Sequence, residues 1–305
     1  MAIGAVILFF GLVIDRLIGD PRSNFHPVAL IGRFIGLWGR TNFYSPRAER
    51  FIGIFGWILT VGIAILPCLL VLHYAPWYIS LPFSAIVLAF CIGWRSLEEH
   101  VKAVETALEQ GEEEGRKAVR YLVSRDTKTL SFEQIRSGAY ESAAENLVDS
   151  IIAPIFWFVV FELLFGMGII GAVLFRSANT MDAMLGYKDD RIRLGWFPAR
   201  MDDILAFIPA RITGAVLLLI FLLKGRIKQA WYIFKHDRKL RPGFNGGIPM
   251  SLIAGGCGVM FEKSGVYQIG YPEQTLAEGG KMIIRTIQWC TVICAAIGIL
   301  LLIFI

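Results

Sequence analysis

Three acidic residues, Glu141, Glu145 and Asp149, recur every four positions along one segment of the sequence. On an α-helix this spacing places the three carboxylates on one face. Like charges so spaced destabilise a helix unless a cation or a basic partner lies among them, and Mg²⁺ usually takes one or two carboxylates together with substrate phosphates. The stripe, with Asn146 beside it, therefore predicts a magnesium or magnesium–phosphate site. The alternative is a solvated helix face.

Other polar residues stand beside apolar runs. The acidic pair Asp202-Asp203 predicts either a cation site or an ordinary complement to a helix dipole. Arg211 lies about two turns inside an apolar run, where an ionisable group is a functional hypothesis by default. Snorkelling, or a structural pair with Glu162, would explain it equally well. A lone histidine before proline, such as His26, is more often a turn residue than a catalyst.

These residues are carried by a chain with the composition of a membrane protein. Of its 305 residues, 55% are hydrophobic and only 18% are charged, and the mean hydropathy is +0.58. Soluble domains have about 45–50% apolar and about 25% charged residues, so the composition argues against a soluble enzyme and excludes disorder. The net charge of +5 indicates basic residues on the cytoplasmic side of a membrane, and no nucleic-acid partner is expected.

The elements that must position the polar residues are helices. After a short apolar run over 2–14, five long apolar segments follow, at 51–72, 77–94, 151–175, 204–223 and 286–305. Crossing a bilayer takes about 20 apolar residues. The sequence thus predicts an all-α polytopic membrane protein, with residues 1–305 forming a single integral membrane domain.

Charge and helix breakers predict the topology. The hairpin tip at 74–76 has no basic residue, whereas 15–50 has six and 95–150 has eight, so these two segments are expected on the cytoplasmic side. Segment 176–203 shares that side only if 151–175 and 204–223 are both re-entrant. Gly166, Gly168 and Pro209 are the expected break points. We favour this arrangement, with the active site facing the cytoplasm.

A cytoplasmic helical segment is predicted over 95–150, leading into the acidic stripe. Its first part reads as a helical hairpin that Gly111 interrupts, because apolar residues recur at helical spacing before that glycine. These residues are Leu97, Val101, Val104 and Leu108.

Ten short motifs follow one another along nearly the whole chain: Asp15-Arg-Leu-Ile-Gly-Asp-Pro21, His26-Pro-Val28, Ile31-Gly32, Arg125-Asp-Thr127, Glu141-Ser-Ala-Ala-Glu-Asn-Leu-Val-Asp149, Ala153-Pro-Ile-Phe156, Asn179-Thr-Met-Asp182, Gly186-Tyr187, Ala199-Arg-Met-Asp-Asp203 and Pro209-Ala-Arg-Ile-Thr213. Each motif alone is weak, but ten in order are highly specific. Together they resemble the adenosylcobinamide-phosphate synthase family (CobD/CbiB) of cobalamin biosynthesis.

The resemblance implies an integral ligase of the inner (plasma) membrane. Such enzymes join a propionate carboxylate of adenosylcobyric acid to aminopropanol, commonly as its O-phosphate, using ATP and Mg²⁺. The expected partners are these two substrates, the lipid bilayer and other late cobalamin-pathway membrane enzymes. Two other classes compete with the ligase. One is a non-catalytic AmpE-like membrane regulatory protein, and the other is a small-molecule transporter, which would explain charges inside apolar runs.

The motif matches also imply roles for individual residues. The resemblance implies catalytic roles for Glu141, Glu145, Asn146, Asp149, Asp182, Arg200, Asp202, Asp203 and Arg211. It implies substrate-binding roles for Asp15, Asp20, His26, Arg125, Asp126, Asn179 and Asn245. Metal ligation is expected from Glu145 and Asp149.

The match weakens near the C-terminus. Asn245 keeps its register in a glycine-rich stretch, but Gly243 and Phe244 stand where the family has serine and proline, and Met250 stands at an acidic position. A substrate subsite is expected to be altered there. The chain contains no Walker A motif, so any use of ATP requires another phosphate-binding element.

Overall fold

The computed structural model describes residues 2–20 and 26–305, so Pro21 of the first motif lies outside the described residues. Within this part of the chain the structure is helical apart from one two-stranded antiparallel sheet, which confirms the predicted all-α class. The helices are α1 (Ala2–Leu17), α2 (Pro27–Trp38), α3 (Glu49–Tyr74), α4 (Trp77–Cys91), α5 (Trp94–Gln110), α6 (Glu112–Val119), α7 (Phe132–Asn146), α8 (Ala153–Phe165), α9 (Gly168–Leu185), α10 (Trp196–Leu205), α11 (Phe207–Leu223), α12 (Ile227–Asp237), α13 (Gly247–Cys257) and α14 (Leu276–Phe304). The strands are β1 (Met260–Lys263) and β2 (Tyr267–Gly270).

Five helical stretches among the described residues are long and apolar enough to cross a membrane, as the sequence predicts. They are Glu49–Tyr74, Trp77–Gln110, Phe132–Phe165, Trp196–Leu223 and Leu276–Phe304. Helix α1 has 16 residues, fewer than the about 20 that a crossing needs.

The chain folds into two compact units. The first comprises Met1–Gly93, Asp149–Ala206 and Ala295–Ile305, and the second comprises Trp94–Val148 and Phe207–Cys294. In the first unit, α3 and α4 form the predicted hairpin with its tip between Tyr74 and Trp77. One core cluster of this unit joins residues of α2, α3 and α9, namely Ile35, Val61, Met181 and Leu185.

The apolar stretch 151–175 is divided between α8 and α9. Gly166 ends α8 with a φ of 67°, and α9 begins at Gly168. This left-handed conformation is strained for residues that carry a side chain, so glycine suits the turn. A Cβ on Gly171 would lie 2.2 Å from the carbonyl oxygen of Trp157, which shows how closely the two helices pack. The predicted break at Gly166 and Gly168 is confirmed.

Pro209 does not break its helix. It lies in the first turn of α11, which runs on unbroken to Leu223. Proline is tolerated in a first turn because the backbone N–H it lacks would have no helical partner there. The helix boundary lies earlier, at Ala206. The prediction that Pro209 interrupts this segment is therefore wrong.

The second unit contains the helical hairpin predicted before the stripe. Helix α5 ends at Gln110, Gly111 has a φ of 137°, and α6 begins at Glu112. The four apolar residues predicted for the inner face of α5 are buried, namely Leu97, Val101, Val104 and Leu108. They pack with α6 and α7 in a core that also contains Val119, Ile135 and Ala139.

Two local features were not predicted. Strands β1 and β2 form a short hairpin with register Phe261–Ile269, and its turn places Gly265 at a φ of 71°. In addition, the helix that carries the acidic stripe winds as a π-helix over Leu147–Ile152, directly after α7. A π turn has i→i+5 hydrogen bonds, so it breaks the regular four-residue spacing between Glu145 and Asp149.

Candidate functional site

The first unit gathers four carboxylates around the C-terminal part of α9. Asp202, on α10, is 9% exposed, and its Oδ1 accepts a hydrogen bond of 3.3 Å from Nδ2 of Asn179 on α9. Asp149, Asp182 and Asp203 lie close enough for their charges to act on the Asp202 carboxylate. The structure therefore brings five of the predicted site residues together, and we call these five the acidic cluster.

Glycines allow α10 to lie against α9. A Cβ on Gly195, just before α10, would be 1.9 Å from the carbonyl oxygen of Leu185 at the end of α9. A Cβ on Gly186 would be 2.1 Å from Oδ1 of Asp182. A side chain at Gly195 would push α10 away from the end of α9, and a side chain at Gly186 would displace the Asp182 carboxylate.

The oxygen atoms of the acidic cluster are the type of ligand that a hard cation such as Mg²⁺ binds. A buried carboxylate beside other carboxylates is costly unless a cation compensates it. Within residues 2–20 and 26–305, no three His, Cys, Asp or Glu side chains are arranged to hold a metal ion by themselves. Mg²⁺ bound here would take further ligands from water or a phosphate, as it usually does. Arg200, on α10, is exposed.

The N-terminal motifs form a separate contact in the first unit. Nε2 of His26 lies 3.2 Å from Oδ1 of Asp20, while its Nδ1 accepts a hydrogen bond from the backbone N–H of Val28 at the start of α2. The imidazole also packs edge-on against Phe90. His26 thus caps a helix, which is a structural task. Asp15 is buried on α1.

Glu141 is the centre of a hydrogen-bond network in the second unit. Its side chain is 7% exposed and pairs with Nη2 of Arg125 at 3.0 Å. It also accepts hydrogen bonds from Ser137 Oγ at 2.5 Å and from Tyr267 Oη at 2.8 Å. Nη1 of Arg125 donates to the carbonyl oxygen of Glu262 on β1 at 2.9 Å. The network ties α7 to the β-hairpin and to the loop that carries Arg125.

This network leaves Glu141 fully engaged by the protein. Burial, and then the negative charge of Glu141, raise the pKa of Tyr267 well above its usual value, so this phenol stays protonated and keeps donating. Asp126, next to Arg125, is exposed and accepts a hydrogen bond from the backbone N–H of Lys128, as in an Asx turn.

Glu145 and Arg211 each contact the glycine-rich segment before α13. Glu145 forms a salt bridge with Arg241. Nη1 of Arg211 donates to Oδ1 of Asn245 at 2.6 Å, and its guanidinium lies 3.5 Å from the ring centroid of Phe207. Two residues predicted from separate motifs, Arg211 and Asn245, are therefore direct partners.

The segment 243–247, which we call the glycine loop, leads directly into the N-terminus of α13. Gly243 has a φ of 109°, and the Arg241 guanidinium lies against Gly246. Arg238 is close enough for its charge to act on Arg211. Backbone N–H groups at a helix start, together with cationic side chains, form a favourable environment for a phosphate. Met250 is fully buried in α13, so an apolar side chain suits the altered position.

The acidic stripe is thus distributed among different partners. Arg125 pairs with Glu141 and Arg241 pairs with Glu145, whereas Asp149 belongs to the acidic cluster. A stripe of like charges can be stabilised by basic partners or by a cation. Two of its three carboxylates have a basic partner here. Nδ2 of Asn146 donates to the carbonyl oxygen of Ser142 at 2.9 Å.

Sequence reasoning did not single out three participants, namely Arg241, Ser137 and Tyr267. Arg241 could have been found, because it lies two residues before Gly243, where the glycine loop begins. Ser137 lies four residues before Glu141, the spacing of one helical turn, which was also a readable signal. Nothing in the local sequence marks Tyr267, since it reaches Glu141 only through the β-hairpin. Glu162, near the middle of an apolar stretch, accepts a hydrogen bond from the backbone N–H of Gly168 at 2.8 Å, which is a capping role.

Comparison with known proteins gives a consistent result. The family model described as CobD/Cbib protein matches residues 8–291. A relative from Methanothermobacter thermautotrophicus, named "Probable cobalamin biosynthesis protein CobD", is 39% identical over 271 residues, covering 87% of this chain and 86% of the relative. "Cobalamin biosynthesis protein CobD" of Dehalococcoides mccartyi is 35% identical over 272 residues, with coverage of 87% and 86%.

A third relative, from Thermococcus kodakarensis and also named "Probable cobalamin biosynthesis protein CobD", is 38% identical over 265 residues, covering 86% of this chain and 84% of the relative. No solved structure matches the chain significantly. The family match covers nearly the whole chain, and the relatives exceed one third identity over most of their own length. This chain therefore belongs to the CobD/CbiB family.

Proposed function

We propose that this protein acts in cobalamin biosynthesis as an ATP-dependent amide ligase, joining adenosylcobyric acid to aminopropanol or its O-phosphate. The motifs that resemble the synthase family support this reaction, and so do the names of the relatives. The single observation that carries the proposal is the burial of Asp202 beside three other carboxylates. Such an arrangement calls for a cation, and phosphoryl transfer from ATP uses one.

The reaction requires activation of a carboxylate. At neutral pH a carboxylate resists attack by an amine, because the attack would have to expel one carboxylate oxygen as an oxide ion, which is a poor leaving group. In the proposed sequence, a carboxylate oxygen of the corrinoid propionate attacks the γ-phosphorus of ATP, giving an acyl phosphate and ADP. The amine nitrogen then attacks the acyl carbon, phosphate leaves with the bonding electrons, and the nitrogen loses a proton. The products are the amide, ADP and phosphate.

Phosphoryl transfer depends on positioning and on stabilisation of charge, and two groups of residues are suited to these tasks. In the first unit, carboxylates of the acidic cluster would bind Mg²⁺ together with water or phosphate oxygens. When bound, the ion neutralises charge on the phosphate oxygens. In the second unit, Arg211 and Arg241 hold the glycine loop in place, and the start of α13 offers backbone N–H groups to a phosphate.

The direct test uses the purified full chain in detergent, with adenosylcobyric acid, aminopropanol phosphate, ATP and Mg²⁺. We expect mass spectrometry to detect the amide product, with one ADP released for each amide formed. Omission of any one component should abolish the product. An active homologue is assayed in parallel. If that homologue forms the amide and this chain does not, the ligase proposal fails and a non-catalytic role in the membrane takes its place.

The metal prediction for the stripe is tested at Glu145. We expect Glu145→Gln to lower turnover at least tenfold, because it removes the charge that Arg241 balances and that would orient a magnesium–phosphate group; tenfold corresponds to about 1.4 kcal/mol in the barrier. Turnover is measured across a range of Mg²⁺ concentrations. The matched control is Glu133→Gln, which alters a half-exposed carboxylate on the same helix. An unchanged rate and an unchanged Mg²⁺ dependence would remove Glu145 from the mechanism.

We propose that the protein lies in the plasma membrane and that its active site faces the cytoplasm, because ATP and the corrinoid are cytoplasmic. Lys188 and Glu113 are both exposed. In a cysteine-free background, we expect Lys188→Cys and Glu113→Cys to resist an impermeant thiol reagent on intact cells and to react once the membrane is opened. Labelling of position 188 in intact cells would place 176–203 outside and contradict this orientation.

A further inference from the structure

An apolar cavity of about 370 Å³ lies in the first unit, among α2, α3, α4 and α9. Sixteen residues line it, and only Thr60 and Arg176 among them carry side-chain oxygen or nitrogen atoms. The Thr60 hydroxyl is already engaged, because it donates to the carbonyl oxygen of Gly56 at 2.6 Å and accepts from Trp38 Nε1 at 3.1 Å. Arg176 is therefore the polar group that the cavity offers to a ligand.

The side chain of Arg176 contains a buried donor that makes no hydrogen bond to any described residue. This donor is its Nε. A guanidinium has five N–H donors and always carries a positive charge. Burying such a group without an acceptor is costly. The cavity thus combines an apolar interior with a cationic side chain that could donate a hydrogen bond to an anion.

Part of the cavity wall is exposed on an apolar surface of the first unit. Two of its lining residues, Leu30 and Ile63, are 46% and 45% exposed. Ile63 belongs to α3, which is long and apolar enough to cross a membrane and exposes further large apolar side chains such as Phe55 and Leu66. Such an apolar surface favours a ligand that is itself largely apolar.

Arg176 also lies where α9 changes from apolar to polar. It marks the point on α9 where the apolar stretch ending at Phe175 gives way to a polar one that includes Asn179 and Asp182. The phosphate of a phospholipid lies at such a boundary, with its acyl chains on the apolar side. The volume is at the small end of the range of about 300–1,000 Å³ typical of ligand pockets, and the apolar lining cannot satisfy the many amides of a corrinoid.

We propose that this cavity binds an anionic phospholipid, with one acyl chain inside the cavity and the phosphate against Arg176. The proposal concerns the binding of a lipid and not the ligase substrates, so its test does not depend on activity. The bound lipid would hold α2, α3, α4 and α9 together. Cys68 and Cys91 line the same cavity and are both free, which provides a readout in the unaltered protein.

The experiment uses the full chain, delipidated in detergent and titrated with phosphatidylglycerol or with phosphatidylcholine of the same acyl chains. Native mass spectrometry counts the bound lipid. We expect one phosphatidylglycerol to bind at least tenfold more tightly than phosphatidylcholine, and Arg176→Gln to abolish that preference. Ala64→Phe, which fills the cavity, should weaken binding of both lipids. The control, Arg33→Gln, removes an exposed arginine from α2 and should leave the preference intact.

Alkylation of Cys68 and Cys91 by N-ethylmaleimide is followed in the unaltered protein, so the proposal is tested even if a variant fails to fold. We expect phosphatidylglycerol to slow alkylation of both at least fivefold, with no such effect from inorganic phosphate. Equal binding of the two lipids, or equal loss in Arg33→Gln and Arg176→Gln, would overturn the proposal. Protection by inorganic phosphate alone would also overturn it, since the site would then take a soluble anion.

Discussion

Asp202→Asn is expected to lower the turnover of amide formation about 100-fold, which corresponds to about 2.7 kcal/mol in the barrier. The reason is that Asp202 is the most deeply placed carboxylate described in the acidic cluster, and its charge would hold the Mg²⁺ that aligns ATP. The same substitution removes repulsion from Asp149 and Asp182. We therefore expect thermal stability in the absence of Mg²⁺ to rise while activity falls, a pattern typical of functional sites.

The control for this prediction is Asp189→Asn. Asp189 is an exposed carboxylate of the same unit, paired with Arg191, and its replacement should leave turnover unchanged. Turnover is measured by product formation, and stability by tryptophan fluorescence during heating with and without Mg²⁺. If Asp202→Asn keeps more than half of the activity, or if it loses stability without Mg²⁺, Asp202 does not serve a cation.

The second large effect is expected from the network around Glu141. Arg125→Met leaves the Glu141 carboxylate buried without its cation, and breaking a buried ion pair costs about 3–5 kcal/mol of folding free energy. Glu141→Gln in the same chain removes the stranded charge. The double variant is therefore expected to recover more than half of the stability that Arg125→Met loses.

Stability of the four proteins is compared by thermal unfolding in one detergent, as a double-mutant cycle. Simple addition of the two single effects would mean that Arg125 and Glu141 are not energetically coupled. Tyr267→Phe serves as the reference for a lesser loss, because it removes a single hydrogen bond to the same carboxylate, worth about 1.5–3 kcal/mol when the acceptor is charged.

Sequence patterns were reliable where the structure depends on contacts that are local in the chain. The apolar spacing from Leu97 to Leu108 predicted the inner face of α5, and Gly111 predicted where that helix ends. The glycines at 166 and 168 predicted the break between α8 and α9 for the same reason. Each signal needs only a few neighbouring residues, because helix propensity and amphipathic spacing act over one or two turns.

Contacts between distant segments could not be read in this way. The partner of Glu145 is Arg241, 96 positions away, and the phenol that reaches Glu141 lies 126 positions away on β2. The π turn over Leu147–Ile152 has no composition that distinguishes it from the α-helix around it. The prediction for Pro209 was wrong because the effect of proline depends on its position within a helix, and the local sequence does not give the start of α11.

The close packing of α8 on α9 has a consequence for the order of folding. Trp157 and Gly171, which meet at this contact, are only 14 positions apart, and the turn between the helices is closed by Gly166 and Met167. The entropy lost on closing so short a loop is small. Contacts of low sequence separation form early, so this pair can assemble as soon as residue 185 leaves the ribosome. Helix α10, with Asp202, then meets a surface of α9 that is already in place.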